Sequence, residues 1–172
     1  MIAIVEGCDK AGKTTLAKIL AERVGLAYYH ANLSIETDLF DKYVSLIHSI
    51  DSPTIADRFY PSELVYGPLI RGYSRLSITQ FNELNKLIRA RGGCFIYCFA
   101  GLETIIYRAK NDKEEYLPVS LIPDAIKNYK RIVVIAKRLL PVFTYNSGLS
   151  HARSLIEIDN LVAAIQKRIL LL

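Results

Sequence analysis

The run Ile2-Ala3-Ile4-Val5-Glu6-Gly7-Cys8-Asp9-Lys10-Ala11-Gly12-Lys13-Thr14-Thr15 decides the fold. Ile2–Glu6 reads as a buried first strand. Gly7 to Thr14 fits G-x-x-x-x-G-K-[ST] with no mismatch. Lys13–Val24 then puts Leu16, Ile19, Leu20 and Val24 on one helical face and stops at Gly25. Between a strand and a helix, such glycines let the backbone turn its N–H groups inward around phosphates. The helix N-terminus adds partial positive charge. ATP is expected along Gly7, Asp9, Lys10, Ala11, Gly12, Lys13, Thr14 and Thr15, with Lys13 at the β- and γ-phosphates. The Thr14 hydroxyl is placed to ligate Mg²⁺.

Outward from this loop, short β-rich runs alternate with helical periods, as in a parallel α/β domain. Leu26–His30 reads as a second strand. Ile35–Ile50 reads as a helix capped by Ser34, with Ile35, Leu39, Tyr43, Leu46 and Ile50 on one face. Thr54–Asp57 is a short strand. Ser77-Ile78-Thr79-Gln80 matches a capping box, opening a helix that runs to Arg91 before Gly92-Gly93. Cys94–Phe99 is a continuous apolar strand, and Pro123 and Pro141 bracket a helix at Ile122–Leu140. Ser154–Ile158 is expected as the last strand and Asn160–Leu171 as the last helix. The sum is a three-layer α/β fold with a five-stranded parallel sheet in one domain, residues 1–172. Lys110–Glu115 is the candidate mobile loop.

Composition narrows the classes. With 51% hydrophobic residues the 172-residue chain can bury a sizeable core, which rules out disorder. Lys and Arg number 22 against 17 Asp and Glu, a net +5 that favours an anionic partner without forming a nucleic-acid arm. No apolar run approaches the roughly 20 residues of a membrane helix. No basic segment precedes Ile2, so no signal peptide is expected. Cys8, Cys94 and Cys98 form no paired framework, which fits a reducing cytoplasmic compartment, the host's if the chain is viral. A guanine-specific switch would carry N-K-x-D after a later strand, and Asn111-Asp112-Lys113-Glu114 has the wrong order. The chain is too short for a long ATPase domain. Small-molecule kinases remain.

Glu6-Gly7-Cys8-Asp9-Lys10-Ala11-Gly12-Lys13-Thr14-Thr15 resembles the E-G-x-D-x-x-G-K-[ST]-T loop of thymidylate kinases. Asp57-Arg58-Phe59-Tyr60-Pro61-Ser62-Glu63-Leu64-Val65-Tyr66 resembles that family's D-R-[YF]-x-x-S-x-x-A-[YF] segment, with Val65 in place of Ala. Arg108 followed by Asp112-Lys113-Glu114 is similar to its Arg-containing lid, here about residues 108–118. The resemblance implies transfer of the ATP γ-phosphoryl group directly to a deoxynucleoside monophosphate, dTMP first. It implies that Asp9 meets the 3′-hydroxyl, Arg58 the 5′-phosphate, and Tyr66 the sugar near C2′. Ser62 belongs to the same acceptor segment, Asp57 helps position the Mg²⁺ shell, and Lys10, Arg108 and Lys113 bring charge to the phosphates. A homodimer is implied by resemblance alone.

The chain also departs from that family. His30-Ala31-Asn32-Leu33 holds no Arg where an acceptor-binding loop is usual, and no F-x-x-x-R base-reading pattern precedes Asp57. Phe40 or Tyr43 could stack on a base, although both also fit a core stripe. These departures keep a second family open, the deoxynucleoside kinases, in which a strand-ending Glu like Glu6 serves as base on a 5′-hydroxyl. Arg71, Arg75, Arg89 and Arg91 read as a solvated face.

Overall fold

A computed structural model describes residues 1–31, 38–112 and 117–171. Five strands form one parallel sheet: β1 (Ile2–Glu6), β2 (Ala27–His30), β3 (Thr54–Asp57), β4 (Cys94–Phe99) and β5 (Val142–Asn146), in the order β2-β3-β1-β4-β5. The two strands beside the centre, β3 and β4, hold β1 in register, pairing Val5 with Asp57 and Glu6 with Tyr97. Every residue of β1 is buried, which explains its unbroken apolar run up to Glu6. Among the described residues seven α-helices flank the sheet: α1 (Lys13–Val24), α2 (Leu39–Ser49), α3 (Pro61–Arg71), α4 (Ile78–Ala90), α5 (Leu102–Lys110), α6 (Ile122–Ala136) and α7 (His151–Ile169). The expected α/β fold is present. Phe59, Tyr60, Phe81, Phe95 and Tyr129 are among the largest fully buried side chains, and they tie α3, α4 and α6 to the sheet.

Local signals fix most boundaries. Ser77 Oγ accepts from Gln80 N–H at 3.2 Å and Gln80 Oε1 accepts from Ser77 N–H at 2.9 Å, the capping box read from sequence. Asp38 caps α2 by accepting from Asp41 N–H at 3.1 Å, so the helix begins at Leu39. The cap expected at Ser34 lies outside the described residues.

The last strand is corrected. Ser154–Ile158 is helical, inside α7, and the fifth strand is Val142–Asn146. Ile158, Leu161, Val162 and Ile165 are buried at helical spacing, whereas Leu155 and Ile156 are exposed, a pattern no half-buried strand gives. Pro141 ends the preceding segment and its carbonyl accepts from Phe95 N–H at 2.9 Å, which starts β5 beside β4. The expected helix at Ile122–Leu140 likewise ends earlier, at Ala136. Two helices lacked a clear sequence signal. α3 contains Gly67 and Pro68, both poor helix formers, and α5 starts on Gly101 with no side-chain cap.

Candidate active site

In an open parallel sheet, ligands bind in the crevice outside the carboxyl ends of the strands. Here β1 runs into Gly7–Gly12, and β3 runs into Arg58. The two segments face one cavity of about 670 Å³, lined by Asp9, Lys10, Gly12, Lys13, Thr14 and Thr15 on one side. Arg58, Ser62, Glu63 and Tyr66 line the other. Gly7 is required by close approach, since a Cβ there would lie 1.9 Å from the Cys98 carbonyl oxygen on β4. Lys10 and Arg58 both adopt left-handed backbone conformations, at φ 61° and 64°, which bulky side chains seldom take.

Lys13 is buried, and its Nζ donates to the Cys8 carbonyl at 2.7 Å and stands 3.7 Å from Asp9 Oδ1. Burial, helped by the nearby Arg58 charge, pushes its pKa down despite Asp9 and Glu6. A polyanion in the cavity would reverse that effect. Arg58 forms an ion pair with Asp9, and its guanidinium lies 5.4 Å from the Tyr66 ring centroid. Burial works against the Arg58 charge, but Tyr66, Asp9, Tyr129 and Glu6 together raise its pKa, so it stays cationic. Asp9 N–H donates to the Tyr66 hydroxyl at 3.0 Å. Burial pushes the Asp9 carboxyl up, yet Arg58, Lys13 and the hydrogen bonds outweigh it and hold the carboxyl low. Asp9, Arg58 and Tyr66 thus meet as one unit, although 49 residues separate the first two.

Glu6 is fully buried behind this unit and does not line the cavity. Its Oε1 accepts from Phe59 N–H at 2.8 Å and Ser62 N–H at 3.2 Å; its Oε2 accepts from Ser62 Oγ and Tyr129 OH, each at 2.9 Å. It therefore closes the turn after Arg58 and caps the start of α3, which has no side-chain cap of its own. Burial raises its pKa against Arg58 and these donors. Asp57 is buried too; its Oδ2 accepts from Tyr28 OH at 2.9 Å and lies 3.0 Å from His30 Nδ1. Asp57 Oδ1 is buried with no hydrogen-bond partner among the described residues.

The remaining sequence candidates are distributed unevenly. Arg108 sits on α5, where Nη1 donates to the Lys10 carbonyl at 3.0 Å and to Ser147 Oγ at 2.9 Å, and Nη2 to the Ser147 carbonyl at 2.9 Å. It braces the phosphate loop against the turn after β5. Lys10 Nζ is ion-paired with Asp112 at 2.6 Å. Lys113 lies outside the described residues. Phe40 packs against the core, while its helix neighbours Leu39 and Tyr43 line the cavity. The cavity also takes in Ile70, Arg71 and Arg75, which sequence reading left unassigned. Only a helix starting at Pro61 would have aligned Ser62, Glu63, Tyr66 and Ile70 on one face. The thiols are poor nucleophiles: burial pushes Cys8 up to about 11 and Cys98 to about 12.

No protein-family model matches the chain, and no curated protein matches it in sequence. Solved structures do match in fold. The YorR protein of Bacillus subtilis, in complex with phosphorylated GDP, has a TM-score of 0.78 at 22% identity over 96% of both chains. Deoxyadenosine kinase from M. mycoides with bound dCTP has a TM-score of 0.62 at 16% identity, over 95% of this chain and 100% of that one. A gluconokinase from Sinorhizobium meliloti 1021 has a TM-score of 0.59 at 12% identity, over 99% and 95%. The chain has the fold of the P-loop kinases.

Proposed function

We propose that this protein is an ATP-dependent kinase whose acceptor is a deoxynucleoside monophosphate, with dTMP first among the candidates. The observation that carries the reading is the shared cavity: an intact phosphate loop with Lys13 faces Arg58 and Tyr66, with Asp9 bonded to both. Transfer between two anions needs positive charge along an in-line path and little covalent chemistry. Lys13 holds the donor's β- and γ-phosphates, Arg58 exchanges part of its pairing with Asp9 for the acceptor phosphate, and Lys10 supplies further charge from the loop. Tyr66 flanks the sugar, where a 2′-hydroxyl would meet its ring, and Asp9 accepts from the 3′-hydroxyl. Arg108 acts by fixing the loop at Lys10.

The hydroxyl of exposed Thr14 and the buried Asp57 Oδ1, which has no partner among the described residues, are hard oxygen groups that suit Mg²⁺ and its bound water. When bound, Mg²⁺ neutralises charge on the β- and γ-phosphate oxygens.

Transfer to a nucleoside 5′-hydroxyl is the competing reading, supported by the fold likeness to proteins described as deoxyadenosine kinases. It would need Glu6 as base, and the saturation of Glu6 by Phe59, Ser62 and Tyr129 disfavours it. ADP release from MgATP is the test, run with deoxynucleosides and deoxynucleoside monophosphates in parallel. Turnover with monophosphates is expected, and turnover with nucleosides alone would replace this reading with the other.

A further inference from the structure

One ionic cluster walls the acceptor side of the cavity. Glu63 lies in the first turn of α3, and its Oε1 accepts from the Arg71 guanidinium and from Arg75 N–H, the latter at 2.8 Å. Its Oε2 accepts from Arg75 Nη2 at 3.1 Å. The Glu63–Arg71 pair crosses two turns of helix, over Gly67. A Cβ at that position would lie 2.7 Å from Glu63 Oε1 and 2.9 Å from Arg71 Nη2, so the glycine leaves the passage the pair occupies. Beside the cluster stand Tyr43 and Phe59, edge to face with ring centroids 4.9 Å apart. All five side chains line the same cavity as Arg58 and Lys13.

The cluster is rich in donors. One carboxylate faces two guanidiniums, leaving a net positive charge. Arg71 commits only its Nη2 to a hydrogen bond among the described residues, and its side chain is about a third exposed. A guanidinium has five N–H donors and no acceptor. Thymine presents O4 and guanine O6 as acceptors, whereas cytosine and adenine present an amino group at the equivalent position; N7 accepts in both purines and does not discriminate between them. An amino group against Arg71 would set N–H against N–H and leave both unpaired.

We propose that Glu63, Arg71 and Arg75 read the acceptor base, selecting one with a ring carbonyl, thymine or guanine, over the amino bases cytosine and adenine. Arg71 makes the contact, and Glu63 and Arg75 hold its guanidinium in place. Tyr43 and Phe59 form the apolar wall alongside. The inference rests on the monophosphate-kinase reading above. It also supplies the base contacts whose usual sequence pattern is missing from this chain.

The test compares kcat/KM for dTMP, dGMP, dCMP and dAMP at saturating MgATP, in the wild type and in Arg71→Gln. The wild type should favour dTMP or dGMP over its amino counterpart by about 10- to 100-fold, the discrimination of one good base contact. Arg71→Gln, whose amide can donate or accept, should shrink that ratio by about tenfold or more. A merely structural role would lower all four acceptors alike. Arg71→Lys, which keeps the charge, should narrow the ratio less and serves if the Gln variant does not fold. Preference for dCMP or dAMP, or a ratio unmoved by either variant, overturns the inference and leaves the kinase reading standing. Should no monophosphate turn over, the kinase reading fails. Calorimetric binding of the same four then decides: equal or absent binding overturns the inference, and Arg71-dependent selectivity for dTMP or dGMP upholds it. The dTMP and dGMP arms separate pyrimidine from purine.

Discussion

Replacing Glu6 with Ala tests the claim that this carboxylate builds the Arg58 turn. The cost follows from what each donor keeps. Phe59 N–H loses its bond to Glu6 and is left buried and unpaired, at about 1–3 kcal/mol. Ser62 N–H retains the Phe59 carbonyl at 3.3 Å, and Tyr129 OH retains Ser62 Oγ at 3.3 Å, so each is weakened rather than orphaned. The emptied side-chain space adds a smaller packing loss. The total for Glu6→Ala is about 2–4 kcal/mol. Glu6→Gln keeps the shape and one carbonyl for Phe59 N–H, while the hydroxyls of Ser62 and Tyr129 can turn to accept from its amide, so the cost is about 1 kcal/mol. Urea unfolding followed by far-UV circular dichroism reads both. A Glu6→Ala protein within 1 kcal/mol of wild type would refute the accounting. Moderate activity in Glu6→Gln is expected, because no proton transfer is assigned to the group. A loss as complete as that of Lys13→Ala would return Glu6 to a catalytic role.

Three further predictions concern the cavity. Arg58→Ala should lower acceptor kcat/KM by about 10²–10³ while ATP affinity changes little; equal losses for both substrates would reject its assignment to the acceptor phosphate. Tyr66→Ala should narrow the preference for deoxy over ribo acceptors, and an unchanged ratio would remove Tyr66 from the sugar. Asp9 is held below its ordinary 3.8, so it contributes stability that is present above that value and lost as pH falls through its folded pKa. Asp9→Asn should flatten that part of the acid limb of a stability–pH curve, and an unaltered acid limb would mean that the Arg58 and Lys13 pairing does not act on it.

What could be read in the sequence was what is local. The phosphate loop is contiguous, its glycine requirement is steric, and the strand before it is apolar from Ile2 to Val5 because both faces are covered. The capping box at Ser77 is equally local. The last strand was misplaced because Leu155, Ile156 and Ile158 give a short apolar run that periodicity alone cannot assign, while Val142–Asn146 is only partly buried at an edge of the sheet. Across the cavity, Asp9 and Arg58 were legible as motifs, but their mutual pairing was not. Arg71 and Arg75 looked like solvated charge because Gly67 and Pro68 disguise the helix that carries their partner Glu63, which Arg71 shares and after which Arg75 follows. Arg108 was expected over the phosphates, and its three bonds to Lys10 and Ser147 depend on a turn nearly forty residues further along the chain.

The central claim is phosphoryl transfer from the Lys13 loop to an acceptor held by Arg58. Incubation with γ-labelled ATP, Mg²⁺ and dTMP, followed by chromatographic separation of the products, tests it directly. The account predicts label in dTDP with the wild type and none with Lys13→Ala. Label released only as inorganic phosphate, or remaining wholly in ATP, would contradict it.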